Sequence, residues 1–135
     1  MEGADSTEFN KRTKFPVIDL MESQRAIKIK GGTMRLGAYD CEIKTGTKTY
    51  AAYRKKRITE RHRHRYEVNN RYRKKLEKNG LIFSGVNKDL GVVEAIEIKD
   101  HPWYIAGQFH PELKSRINKA HPLFREFIKA AVKTL

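Results

Sequence analysis

The stretch ERHRHRYE, residues 60–67, alternates arginine with histidine, and a side-chain period of two belongs to an extended strand and not to a helix. In such a strand Arg61, Arg63 and Arg65 share one face while His62 and His64 occupy the other. Three guanidinium groups in a row repel one another unless an anion or nearby carboxylates compensate, and the guanidinium fork is shaped for carboxylate or phosphate. Two readings follow: an anion-binding strand, or a solvated basic strand that Glu60 and Glu67 partly neutralise. Metal binding by His62 and His64 finds no support, because no cysteine or carboxylate stands at a ligand spacing.

The remaining segments mix strands with short helices. Residues 31–44, GGTMRLGAYDCEIK, alternate as a strand with Met34, Leu36 and Ala38 on one side and Tyr39, Cys41 and Ile43 on the other. FPVIDLM (15–21) predicts a short helix, and so does TKTYAAYRKK (47–56), with Tyr50 and Tyr53 on one face. NNRYRKKLEKNG (69–80) predicts a helix capped by Asn69 or Asn70 and stopped by Gly80. LIFSGVNKDLGVVEAIEI (81–98) predicts two strands joined around NKDLG, and PWYIAGQF (102–109) a strand buried on both faces. A helical stripe of Leu123, Phe124, Phe127, Ile128, Ala131, Val132 and Leu135, opened by Pro122, ends the chain. The fold class is α/β.

A length of 135 residues suffices for one modest domain and leaves no room for a second catalytic one. The net charge of +13 favours anionic partners. One cysteine excludes an intrachain disulfide, and no run reaches the roughly 20 apolar residues that span a bilayer. The acidic, polar start MEGADSTEF lacks the pattern of a signal peptide. Together these predict a soluble, cytoplasmic protein.

GQFHPELKS, residues 107–115, sets His110 and Glu112 either side of Pro111. Proline pushes the residue before it toward extended geometry, so both side chains should project to one side, with the carboxylate orienting the imidazole as a general base. Such a pair needs a nucleophile. Cys41 lies mid-strand between Asp40 and Glu42, where carboxylates raise a thiol's pKa, so it reads as a packing residue. The glycines of GGTMRLG match neither a P-loop nor a dinucleotide fingerprint. YRKKR and RYRKK interleave basic residues with tyrosine as a nucleic-acid binder would, yet the lysines fall around the whole helix, as on a solvated face.

Five stretches, STEF (6–9), GGTMRLG (31–37), ERHRHRYEVN (60–69), HPWYIAGQFHPELKSR (101–116) and HPLFREFIKAA (121–131), closely resemble, in this order, the C-terminal part of the CTP synthase family, within its class I glutamine amidotransferase domain. The resemblance spans nearly the whole chain. It implies an open sheet flanked by helices, incomplete without upstream strands, so that residues 1–135 form a partial amidotransferase domain. It implies L-glutamine as substrate, with the ammonia passed to an ATP- and Mg2+-dependent synthetase domain that aminates UTP. His110 would be the general base, Glu112 its orienting carboxylate, Glu8 the partner of the substrate ammonium, and Arg65 a glutamine-binding cation. The nucleophile elbow and the synthetase domain have no counterpart in this sequence, which predicts a fragment inactive by itself, part of an enzyme that assembles as a homo-oligomer. No cofactor or metal is expected in this chain. The segment before GGT, which in relatives forms a lid linked to GTP activation, is short, which puts GTP control in question. The family's common CQFHPE reads GQFHPE here, and glycine at 107 is expected to be tolerated. The alternative is a basic nucleic-acid-binding or structural module derived from the same domain.

Overall fold

Alternation between a wet and a dry face builds the centre of the molecule, whose computed structural model describes residues 1–21, 24 and 34–133. In chain order the elements are β1 (Ala4–Ser6), β2 (Phe15–Asp19), β3 (Arg35–Ile43), α1 (Lys48–Tyr53), β4 (Arg57–His64), β5 (Glu67–Val68), α2 (Arg73–Lys78), β6 (Leu81–Asn87), β7 (Val92–Ile98), β8 (Ile105–Gly107) and α3 (Pro122–Val132). One sheet has the order β4-β3-β6-β7-β8, every pair antiparallel, and a smaller one the order β1-β2-β5.

The longest pairing joins β3 to β4, from Arg35 opposite His64 to Glu42 opposite Arg57. Its register puts Cys41 and Ile58 on the buried face, where they pack with Ile43, Tyr50 and Tyr53. A second cluster of Ala52, Ala95, Phe109 and Leu123, joined by Trp103 and Ile105, lies between the sheet and the helices α1 and α3. Where β6 crosses this core, a Cβ on Gly85 would stand 2.7 Å from Cys41 Sγ and 3.0 Å from Ala95 Cβ, so close packing of the two clusters admits only glycine there.

Helix α1 is only six residues long and depends on its start. Thr47 Oγ1 accepts the Tyr50 amide, and the Glu97 carboxylate, reaching across from β7, accepts the amides of Lys48 and Thr49 at 2.9 and 2.6 Å. Arg54, in the left-handed region at φ 54°, ends it. As expected, Pro122 opens α3 and Gly80, at φ 88°, follows α2, whose preceding 3-10 turn is capped by Asn69.

Two expectations fail. FPVIDLM is not helical: residues 15–19 form β2, which takes ladder partners from β1 and β5 on its two sides. Proline at 16 already disfavours helical geometry at Phe15, and pairing to sequence-distant strands supplies what local periodicity could not show. PWYIAGQF is not a strand buried on both faces: only Ile105–Gly107 pair, β8 sits at a sheet edge beside β7, and Ala106 and Gly107 are exposed. The apolar stripe of α3 buries Leu123 alone, leaving Phe124, Phe127, Ile128 and Val132 exposed. Leu135, and Gly31 and Gly32 of GGTMRLG with most of the segment before them, lie outside the described residues. Among the described residues no helix is long and apolar enough to cross a membrane.

Candidate active site

His110 leaves the end of β8 and caps a 3-10 turn over Pro111–Lys114. Its backbone, at φ −107° and ψ 88°, is outside the helical region, as the following proline requires, while the turn curls Glu112 back over the ring. The two side chains meet through a tight turn, not through the zigzag of an extended chain. His110 Nδ1 and Glu112 Oε1 stand 2.6 Å apart, a charge-assisted distance. The hydrogen bond from His110 holds the Glu112 carboxyl below the usual carboxylate range, although the group is solvent-exposed. The turn is moored to β4 by the His110 amide, which donates to the Arg61 carbonyl at 2.8 Å. Lys114 adds a bond to the Thr59 carbonyl and lies 3.5 Å from Glu60 Oε2.

Glu8 and Arg65 come from different elements. β1 runs parallel to β2 with Ser6 opposite Ile18, and β5 runs antiparallel to β2 with Glu67 opposite Asp19. The chain just after β1, carrying Glu8, and the chain just before β5, carrying Arg65, thus lie at the same end of β2. Glu8 is exposed, its amide donating to Ser6 Oγ, and Thr7 Oγ1 donates to Asp19 Oδ1 at 2.8 Å. Arg65 is half-buried. The Gln108 carboxamide donates to the Tyr66 carbonyl at 2.8 Å, so the strand leading to His110 touches the turn that bears Arg65.

Behind this turn lies a buried polar cluster. Arg35 reaches Glu67 Oε1 at 3.1 Å through Nη1 and Glu94 Oε1 at 2.7 Å through Nη2. The Arg35 guanidinium lies over the Tyr39 ring, which stands edge-on to His62. Burial pushes Glu67 up to about 7 against the pull of Arg35 and raises Glu94 likewise. Burial and the positive Arg35 push His62 down to about 3 and His64 to about 4. Both imidazoles are therefore neutral around pH 7.

Of the two readings of the arginine row, the one in which Glu60 and Glu67 partly neutralise it is overturned. Both are buried: Glu67 pairs with Arg35, while Glu60 Oε1 accepts the Tyr53 hydroxyl at 2.9 Å and stands 3.1 Å from His121 Nε2. Alternation puts Glu60 with the histidines on the dry face of β4, turned away from Arg61 and Arg63, which are exposed, while Glu67 lies on β5. Burial works to raise the Glu60 carboxyl, but His121 and Tyr53 hold it below its ordinary value. Cys41 is wholly buried and its thiol is pushed up to about 12, by burial first and then by Glu94 and Glu60, with Glu42 a lesser cause. Among the described residues no group of His, Cys, Asp or Glu is arranged to hold a metal.

The model of the glutamine amidotransferase class-I family matches residues 8–130. The chain belongs to that family. The CTP synthase of Pelodictyon phaeoclathratiforme is 60% identical to it over 131 residues, 97% of this chain and 23% of that protein. The CTP synthase of Chloroflexus aurantiacus is likewise 60% identical over 131 residues, 97% of this chain and 24% of that one. The chain thus spans about a quarter of the length of these curated relatives. A solved structure described as the glutaminase domain of Trypanosoma brucei CTPS with bound acivicin superposes with a TM-score of 0.88 at 36% identity, over 97% of this chain and 51% of that one.

Arg35 and Glu94 of this amidotransferase chain escaped the sequence reading, though a signal was present. Arg35 shares its strand face with Tyr39, Cys41 and Ile43, and Glu94 interrupts the apolar run VVEAIEI. A charge on a dry face calls for a buried partner of opposite sign. A Cβ on Gly107 would lie 3.1 Å from the Phe109 ring.

Proposed function

We propose that this chain supplies the acid–base half of a CTP synthase glutaminase, residues 1–135 being the C-terminal part of its amidotransferase domain. His110 is the general base and Glu112 holds its ring. Glu112 engages Nδ1, which leaves Nε2 as the nitrogen that removes a proton from an attacking cysteine thiol. The thiolate adds to the side-chain amide carbon of L-glutamine, His110 returns the proton to the departing ammonia, and water then cleaves the thioester to release glutamate. Glu8 takes the substrate's α-ammonium and Arg65 its carboxylate, because a zwitterionic amino acid needs one fixed anion and one fixed cation. The ammonia serves amination of UTP by a synthetase domain that uses ATP and Mg2+.

The observation that carries this reading is the 2.6 Å contact between His110 and Glu112, in a chain 60% identical to CTP synthases over 97% of its length. The attacking sulfur comes from polypeptide outside this chain. Cys41 is enclosed between two sheet strands and α1, and a thiol pushed up to about 12 offers almost no thiolate at neutral pH.

The test is ammonia release from L-glutamine by the purified chain alone and after mixing or co-expression with an amidotransferase segment that bears the nucleophilic cysteine. No release alone and release with the segment are expected. Hydrolysis by the chain alone, or none in the mixture despite formation of a complex, would overturn the proposal.

A further inference from the structure

We propose that Gln108 is a positioning residue for the glutamine site: its carboxamide ties the strand that leads to His110 to the turn that bears Arg65, and a one-directional hydrogen-bond chain through His64 to His62, whose Nε2 faces Glu94, fixes the orientation of that carboxamide. What the turn does rests on the glutaminase reading; the wiring stands apart from it.

The polarity of the chain follows from one group that can only accept. Gln108 Nε2 lies 2.8 Å from the Tyr66 carbonyl and 3.2 Å from His64 Nδ1. A carbonyl accepts, so the amide atom facing it is the nitrogen, and its two hydrogens match its two neighbours. His64 Nδ1 is then an acceptor, and the proton of this neutral ring sits on Nε2. That proton is donated to His62 Nδ1 at 2.9 Å. The proton of His62 must in turn be on Nε2, which faces Glu94 Oε2 at 3.4 Å, the other Glu94 oxygen being held by Arg35 at 2.7 Å.

The reverse polarity is worse. His64 Nδ1 would donate to the Tyr66 carbonyl, 3.1 Å away, and face Glu67 Oε1 at 3.5 Å, but its hydrogen would then oppose those of Gln108 Nε2 at 3.2 Å, and the lone pair of His62 Nε2 would oppose a carboxylate oxygen where both side chains are wholly buried. In a low-dielectric interior that repulsion is unscreened. The backbone joins the same circuit: the Gln108 amide donates to the Glu94 carbonyl at 2.8 Å. Tyr66 is the residue after Arg65, so fixing its carbonyl fixes the root of the Arg65 side chain, two residues from Glu67 on the buried cluster. Gln108, just after β8, and His64 and His62 of β4 thus act as one brace, and its outer end is the Gln108 carboxamide.

The test is a two-bond nitrogen–proton correlation spectrum of the histidine rings of this chain at pH 7. His62 and His64 are expected as neutral rings, both with the proton on Nε2. In Gln108→Leu the freed Tyr66 carbonyl draws the His64 proton to Nδ1, and the His62 resonances shift with it, while backbone amide signals of β3 and β6 stay in place. A proton on His64 Nδ1 in the unsubstituted chain, or ring signals indifferent to Gln108→Leu, would overturn the wiring. Should the variant not fold, the ring protons of the unsubstituted chain alone decide it. With the cysteine-bearing segment supplied, Gln108→Leu is expected to raise the glutamine KM about tenfold and to leave kcat within about twofold, the scale of two lost hydrogen bonds to a positioned group. A fall in kcat with KM unmoved would overturn the positioning role. Absence of activity in the parent mixture would count against the glutaminase reading and leave the ring-proton result standing.

Discussion

The His110 amide donates to the Arg61 carbonyl across 2.8 Å, so the imidazole is anchored by main chain to the strand whose inner face carries Glu60 and His62. The outer arginines and the inner glutamate of that strand have separate tasks. Side-chain alternation lets one strand present cations to solvent while it ties down the turn after β8.

In the proposed mechanism Glu112 acts on the ring and not on the substrate. In the glutaminase assembled with a cysteine-bearing segment, Glu112→Ala is therefore expected to lower kcat by about a hundredfold and to change KM by less than about threefold. Steady-state ammonia release over a range of glutamine concentrations measures both. A change confined to KM would remove Glu112 from its assigned task.

The lone thiol should be inert. With Cys41 buried and pushed up to about 12, alkylation at pH 8 in the native protein is expected to proceed only through opening of the structure, and to become rapid in denaturant. Mass spectrometry of iodoacetamide-treated protein reads it directly. Fast native labelling would show that the site is open.

Acid sensitivity follows from three buried groups of opposing sign. His62 and His64 titrate at about 3 and about 4 in the folded chain against 6.5 ordinarily. The unfolded chain binds more protons between those values, so their contribution is complete above pH 6.5 and is lost as pH falls, at up to about 1.4 kcal/mol per pH unit for each ring. Glu67, at about 7 against 4.5 ordinarily, has the reverse slope: its contribution is whole below 4.5 and is lost as pH rises through 7. The slopes oppose one another between 4.5 and 6.5. Glu67→Gln is expected to steepen the fall in stability across that window, read by denaturant melts at several pH values. An unchanged slope would mean that Glu67 does not take up its proton on folding.

Gly85→Ala is expected to cost about 1–3 kcal/mol, because its Cβ meets Cys41 Sγ and Ala95 Cβ inside contact distance and the strand must shift. Thermal melts give the number. Pairing it with Cys41→Ala, which removes the nearer atom, should recover part of the loss.

Much of this was legible from side-chain periods. The alternation of β4 placed His62 and His64 opposite Arg61 and Arg63, and it would have placed Glu60 inside had its parity been followed. Those residues lie on one strand and need no knowledge of their neighbours. Helices α2 and α3 were legible for a similar reason, since caps and stops are written locally at Asn69, Gly80 and Pro122. β2 was not, because its strand form depends on β1 and β5. The extent of β8 was hidden likewise, as an apolar run cannot tell a central strand from an edge one. The contact of His110 with Glu112 could be read from two residues around a proline, whereas the Arg35–Glu94 pair joins residues 59 apart in sequence, a proximity only the register of the sheet creates.

The central claim is that the His110 imidazole is the base for a sulfur on another stretch of polypeptide. The direct measurement is kcat for ammonia release by His110→Ala, assembled with the cysteine-bearing segment and checked for an intact complex. A loss of about a thousandfold or more is the predicted result; retention of activity within about tenfold of the unsubstituted protein would contradict it.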